Sequence, residues 1–219
     1  MFHRAETKKW RTRLQLSDIT LISQNCIGGC IYHDLGLEFL SPTINLFIEG
    51  EDFCRFVENL KYYLNVPAKE AGYRQHATSG KVYPLITVSD VLVHALHYES
   101  CENAVSAWNR RSRRSNLDNV YVIANSWNLL ERRELIDRIL KTPYPKVVFS
   151  DIAYDDENVF VLSDDVWRRD EGGIVRPDLT SWSESGFRYY EQIFDFVGWI
   201  NDPKRPPISY INNRNLLKQ

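Results

Sequence analysis

Apolar positions fall into short runs parted by polar stretches, and their spacing changes from run to run. "DITLIS" (18–23) is β-branched and apolar after a polar entry, which predicts a short buried strand. "EDFCRFVENLKYYL" (51–64) sets Phe53, Phe56, Val57, Leu60 and Leu64 at helical spacing, with acids in the first turn. The polar stretch 65–81, carrying Pro and Gly, reads as a surface excursion. "YPLITVSDVLVHALHY" (83–98) is strand-rich, and 100–114 predicts a helix capped by Ser100. "NVYVIAN" (119–125) is the clearest strand, and 129–141 is an amphipathic helix with Leu135, Ile136, Ile139 and Leu140 on one side. Strands follow at 146–150 and 158–162, and a last amphipathic helix at 187–200.

This alternation predicts an α/β fold with a mainly parallel, Rossmann-like sheet flanked by helices, and 119–150 has the length of one βαβ unit. The organisation expected is a basic N-terminal arm (1–16), one α/β domain (17–201) and a Pro-rich tail (202–219). A chain of 219 residues is long enough to stand without disulfides.

Charge then narrows the partners. A formal net charge of −2 gives no bulk attraction to nucleic acid. Neither a signal-peptide core nor an apolar run of membrane-spanning length is present, so the expected location is the cytoplasm or the inner face of the membrane. The four cysteines are then expected to be thiols. Cys26 and Cys30 lie four apart while Cys54 and Cys101 stand alone, so the second close ligand pair of a structural zinc site is missing, and no metal is expected. The 6 Trp and 12 Tyr supply flat faces for packing or for stacking on sugars and bases.

Candidate chemistry concentrates in "SQNCIGGCIYHDLG" (23–36), directly after the first strand. In open α/β sheets ligands bind outside the carboxyl ends of strands. Gly28 and Gly29 let a ligand approach the backbone, and Ser23 and Asn25 add polar groups. A helix starting near Ile27 would favour an anion and would raise the thiolate fraction of Cys26. A tight turn with a buried thiol explains the same residues without any ligand. His94 and His97 would face opposite ways on a continuing strand, which leaves His97, with Tyr98, as the better candidate for the ligand edge and His94 as a core histidine. In the next helix Ala104, Ala107, Trp108 and Arg111 form one stripe, and Arg111 is the arginine placed to bind phosphate or carboxylate. The acid pairs Asp155-Asp156 and Asp164-Asp165 are weak signals, common in turns. "SPTINLFI" (41–48) reads as a turn into a half-buried strand, with Thr43 or Asn45 expected to reach the back of the 23–29 loop and fix its shape.

"ISQNCIGGCIYHDLGLEFLSPTINLFIEGEDFCRFVENLKYYL", followed by "HALHY", "AWNRR" and "KVVFS", resembles a bacterial family named for exopolysaccharide biosynthesis, over residues 17–151. The matching positions are Ser23, Asn25, Cys26, Gly28, Gly29, Tyr32, Ser41, Pro42, Thr43, Asn45, His97, Tyr98, Trp108 and Arg111. That family also has some likeness to another bacterial group proposed to be papain-like cysteine peptidases, which share an early Cys and a later His, although strand–helix alternation does not suit a papain fold. The resemblance implies a transferase of surface-polysaccharide assembly. One expectation is a glycosyltransferase with a nucleotide-sugar donor and a glycan acceptor, its diphosphate held by the 23–29 loop and Arg111. Another is a Cys–His acyltransferase or hydrolase with Cys26 as nucleophile and His97 as base. The third is a non-catalytic module of an assembly complex.

Overall fold

Two four-stranded sheets share out the apolar runs. The computed structural model describes residues 2–77, 79–126, 132–163, 168–169, 175–176 and 179–209. In chain order the first elements are α1 (Phe2–Arg13), β1 (Thr20–Ser23), α2 (Ile27–Leu35), β2 (Phe47–Ile48), α3 (Gly50–Glu58) and α4 (Leu60–Asn65). The strands β3 (Lys69–Gln75), β4 (Val82–Val88) and β5 (Val91–His94) precede α5 (Cys101–Ser112). Then come β6 (Val120–Asn125), α6 (Arg132–Leu140), β7 (Lys146–Ser150), β8 (Val159–Val161), α7 (Tyr189–Ile193) and α8 (Phe196–Asn201).

The first sheet is wholly parallel, in the order β1-β6-β7-β8. Alternation along its strands separates two cores. Leu21, Tyr121, Ile123, Val147 and Phe149 face α1, α2, α7 and α8, whereas Ile22, Val122, Ala124 and Val148 face α3, α5, α6 and the second sheet. Because both faces are covered, the strands read as nearly continuous apolar runs, which is why they were legible.

The second sheet is antiparallel, in the order β2-β5-β4-β3, and it corrects the expectation of one mainly parallel, Rossmann-like sheet. The parallel strands stand in sequence order, so there is no reversal of the kind that marks a doubly wound nucleotide-binding sheet. The extra strand is β3, inside the stretch read as a surface excursion. All seven of its residues are exposed, so no apolar alternation betrays it. Two predicted helices are each broken in two. Asn59 separates α3 from α4, and Phe194-Asp195 separates α7 from α8, where the Asp195 carboxylate accepts from Gly198 N and starts a new helix. The basic N-terminal residues form α1, seated on the second core by the buried Trp10. No described helix is long and apolar enough to cross a membrane.

Candidate functional site

β1 and α2 meet at the site. β1 is an edge strand, and the Tyr32 hydroxyl serves its free backbone, donating to Ile19 O at 2.7 Å and accepting from Leu21 N at 2.9 Å. That bridge holds α2 against β1. At the end of the strand, Ser23 N donates to Thr43 Oγ1 at 3.0 Å, and Ser41 Oγ lies 3.0 Å from the same oxygen. Thr43 thus reaches the back of the loop as expected from the sequence. A helix begins with N–H groups that lack intrahelical partners. Here Asn25 Oδ1 accepts from Ile27 N at 3.0 Å and Ser23 Oγ from Gly28 N at 3.2 Å. Ser23 and Asn25 therefore build the start of α2, and Cys26 stands at its N-cap position. Gly28 is required by proximity, since a Cβ there would sit 2.7 Å from Ser23 Cβ.

The second partner arrives from the other sheet. β5 ends at His94, and Tyr98 N donates to Ala95 O at 3.0 Å, closing a turn that carries His97 outward. His97 Nε2 lies 3.4 Å from Cys26 Sγ. His97 is exposed and Cys26 half-buried, so the pair can be reached from solution. His94 points inward, with Nδ1 3.1 Å from Tyr83 Oη and Nε2 3.5 Å from Glu49 Oε1, and burial lowers its pKa. It is the core histidine.

Arg111 closes the arrangement from α5. Its Nη1 donates to Tyr98 Oη at 2.5 Å and to Ile44 O at 3.4 Å, and the guanidinium lies over the Phe39 ring, 5.5 Å from the centroid. Ile44 and Asn45 in turn cover Gly29, where a Cβ would lie 3.5 Å from Ile44 Cγ2 and 3.2 Å from Asn45 Oδ1. The contacts Cys26–His97, Tyr98–Arg111 and Arg111–Ile44, and the close approach of Asn45 to Gly29, thus bring these segments into one region. The stretch 41–45 is a turn rather than the start of the predicted strand. Asn45 is exposed with φ of 59°, in the left-handed region, and the strand begins only at Phe47. Trp108 lies deeper, fully buried against Phe56, as a core residue beneath the site.

Burial pushes the Cys30 thiol up to about 11 and that of Cys54 up to about 12, and Cys101 is also buried. All four are unbridged. On metals, His3, Asp34 and Glu191 bring ligand atoms within 4.8 Å of one another. Their oxygens already have partners. Glu191 Oε1 lies 3.0 Å from His3 Nε2, Glu191 Oε2 accepts from Arg188 N, and Asp34 Oδ2 accepts from Tyr190 Oη. With Arg188 Nε 3.8 Å from Asp34, the cluster ties α1 and α7 to α2. Of the acid pairs, Asp156 Oδ1 accepts from Asn158 N as a turn former, Asp155 is exposed, and Asp164-Asp165 lies outside the described residues.

Two features at the carboxyl edge of the parallel sheet were not found by sequence reasoning. Gln24 joins the sheets, with its backbone O accepting from Ile48 N at 3.1 Å and its Oε1 from Asn125 N at 2.9 Å. Ser126 Oγ donates to Asp151 Oδ1, and Arg132 pairs with the other oxygen of that carboxylate. A glutamine and a serine that each directly follow a strand carry no spacing signal. Their polar character at the end of a buried strand was the available hint.

Comparison with known proteins gives two findings. A family profile described as "Domain of unknown function (DUF1919)" matches residues 1–201. An uncharacterized protein of Haemophilus influenzae is 30% identical over 193 residues, covering 86% of this chain and 87% of that protein.

Proposed function

The chain belongs to the DUF1919 family, and for this member we propose an acyl-transfer enzyme with Cys26 as nucleophile and His97 as base. The observation that carries the reading is the 3.4 Å approach of Cys26 Sγ to His97 Nε2, made by residues 71 apart in sequence. A thiol at a helix N-terminus and beside an imidazole is favoured as thiolate, the form that attacks carbonyl carbon. His97 takes the thiol proton and returns it to the leaving group. The acceptor is water or a saccharide hydroxyl, the latter in keeping with the resemblance to exopolysaccharide biosynthesis proteins.

The nucleotide-sugar transferase is the second reading. It is favoured by the start of α2 at the carboxyl edge of a parallel sheet, where anions are stabilised. It is weakened by Arg111, whose Nη1 is committed to Tyr98 and Ile44. The two readings part on Cys26. With p-nitrophenyl acetate, the wild type is expected to release a burst of nitrophenolate, and Cys26→Ser and His97→Ala to abolish it. Absence of a burst from the wild type, together with a thermal shift by UDP-glucose that survives Cys26→Ala, overturns acyl transfer and favours the glycosyl reading.

A further inference from the structure

Asn45 combines three properties that packing does not require. Its backbone is left-handed, at φ 59°, a conformation that asparagine tolerates at some cost and most residues avoid. Its carboxamide is exposed and makes no hydrogen bond among the described residues. Its Oδ1 nevertheless lies over the first turn of α2, 3.2 Å from the position a Gly29 Cβ would take. Gly29 stands three residues beyond Cys26, and side-chain directions three apart on a helix share a face about 5–6 Å apart. A missing side chain at 29 therefore leaves room for a polar group from another loop one step from the thiol. Polar residues in sparsely populated backbone conformations cluster at ligand-binding positions.

We infer that the Asn45 carboxamide is the oxyanion donor of the Cys26–His97 site, which makes the substrate an ester or thioester acyl donor. The inference rests on the acyl-transfer reading above. The Cys26 thiolate forms a C–S bond to the carbonyl carbon, and the carbonyl π pair moves onto oxygen. Asn45 Nδ2–H donates to that oxygen while the positive end of the α2 dipole faces it. When the pair returns, the C=O bond re-forms and the bond to the leaving alkoxide or thiolate breaks. The leaving group takes the proton that His97 accepted from Cys26. The acyl group then passes from sulfur to water or a hydroxyl by the same steps in reverse, with no other reactant.

The test uses the full chain and two reagents. p-Nitrophenyl acetate acylates through an oxyanion, whereas iodoacetamide alkylates the same thiol by displacement at carbon and forms none. Asn45→Gly is the primary variant, because glycine adopts the left-handed backbone freely and the fold is not strained by the change. Asn45→Asp keeps the shape and exchanges the donor for an anion. Both are expected to slow the acylation burst by about 10²–10³-fold, while in Asn45→Gly the alkylation rate of Cys26 stays within about twofold. Acylation at the wild-type rate in Asn45→Gly overturns the inference and leaves the acyl-transfer reading standing. Equal losses with both reagents also overturn it, since they assign Asn45 a structural role. A wild type that iodoacetamide alkylates but the ester never acylates removes the acyl-transfer reading itself, and this inference with it.

Discussion

Replacing Gly28 and Gly29 one at a time by alanine should have unlike effects on stability, although both are buried in the same turn of α2. A Cβ at Gly28 would meet Ser23 Cβ at 2.7 Å and Leu21 Cγ at 3.6 Å, both on β1. Carbon atoms rest at about 3.5–4.0 Å, so the first turn must retreat from the strand by roughly 1 Å. Overpacking of that kind costs about 1–3 kcal/mol. The retreat also stretches the Gly28 N–Ser23 Oγ hydrogen bond, worth about 1 kcal/mol. Alanine's helical advantage over glycine returns at most about 1 kcal/mol. The balance is a loss of about 1–3 kcal/mol, and a chain of this size loses about 2–4 °C in Tm for each kcal/mol. A Cβ at Gly29 meets instead the movable end of exposed Asn45 at 3.2 Å. The helical gain there faces little opposition, and stability should hold or rise by up to about 1 kcal/mol. Urea unfolding followed by tryptophan fluorescence gives both values, and iodoacetamide labelling of Cys26 reports the displaced turn. If Gly28→Ala unfolds at the wild-type urea midpoint with unchanged Cys26 labelling, the close packing of α2 on β1 has been misjudged.

Other substitutions test the neighbouring contacts. Tyr32→Phe leaves the buried Leu21 N without its acceptor and should cost about 1–3 kcal/mol, and an unchanged urea midpoint would contradict the bridge. Iodoacetamide at pH 8 should label Cys26 ahead of Cys30, Cys54 and Cys101, because burial raises the Cys30 and Cys54 thiols and Cys101 is inaccessible; peptide mass spectrometry reads the order. Arg111→Ala removes the donor to Tyr98 Oη and Ile44 O and should lower Tm and slow Cys26 labelling together; a fall in neither would mean that the guanidinium faces solution. Burial lowers the His94 pKa below its unfolded value, so the unfolded chain binds the proton first. The associated stability is complete above the unfolded value of about 6.5 and is lost as pH falls below it. His94→Gln should flatten the stability profile in that window, and an unaltered slope would clear His94 of the effect.

Legibility followed burial. β1, β6 and β7 are covered on both faces, so their apolar runs declare them. β3 is exposed along its whole length and is held by its ladder to β4, a partner that periodicity cannot see. With β3 unseen, the antiparallel sheet was unseen as well. The breaks at Asn59 and at Phe194-Asp195 occur inside continuous apolar patterns, because the chain turns while its apolar side stays on one core. At the site, the glycine pair, the thiol and His97 could be read from chemistry and place. Their distance could not, because it depends on how two sheets dock. Asn45 was read as a residue of a half-buried strand, since an Ile-Asn-Leu alternation suits one. The structure places it instead at the end of the turn 42–45, with a left-handed backbone.

The thiol and the imidazole belong to different sheets, and this bears on how the chain comes into being. Cys26 is synthesised early, at the end of β1, whereas His97 follows β5. Among the described residues β1 pairs with β6, which begins at Val120, so the parallel sheet closes after His97 has already been made. Docking of the sheets through Gln24 and Ile48 then brings His97 to Cys26. Pairings this distant in sequence form late, because loop closure precedes any reward from contact. On the acyl-transfer reading proposed above, a nascent or half-folded chain therefore carries an unassisted thiol, and reactivity switches on with the last long-range pairing. The rate at which a thiol reagent finds Cys26 is thus a clock for completion of the fold.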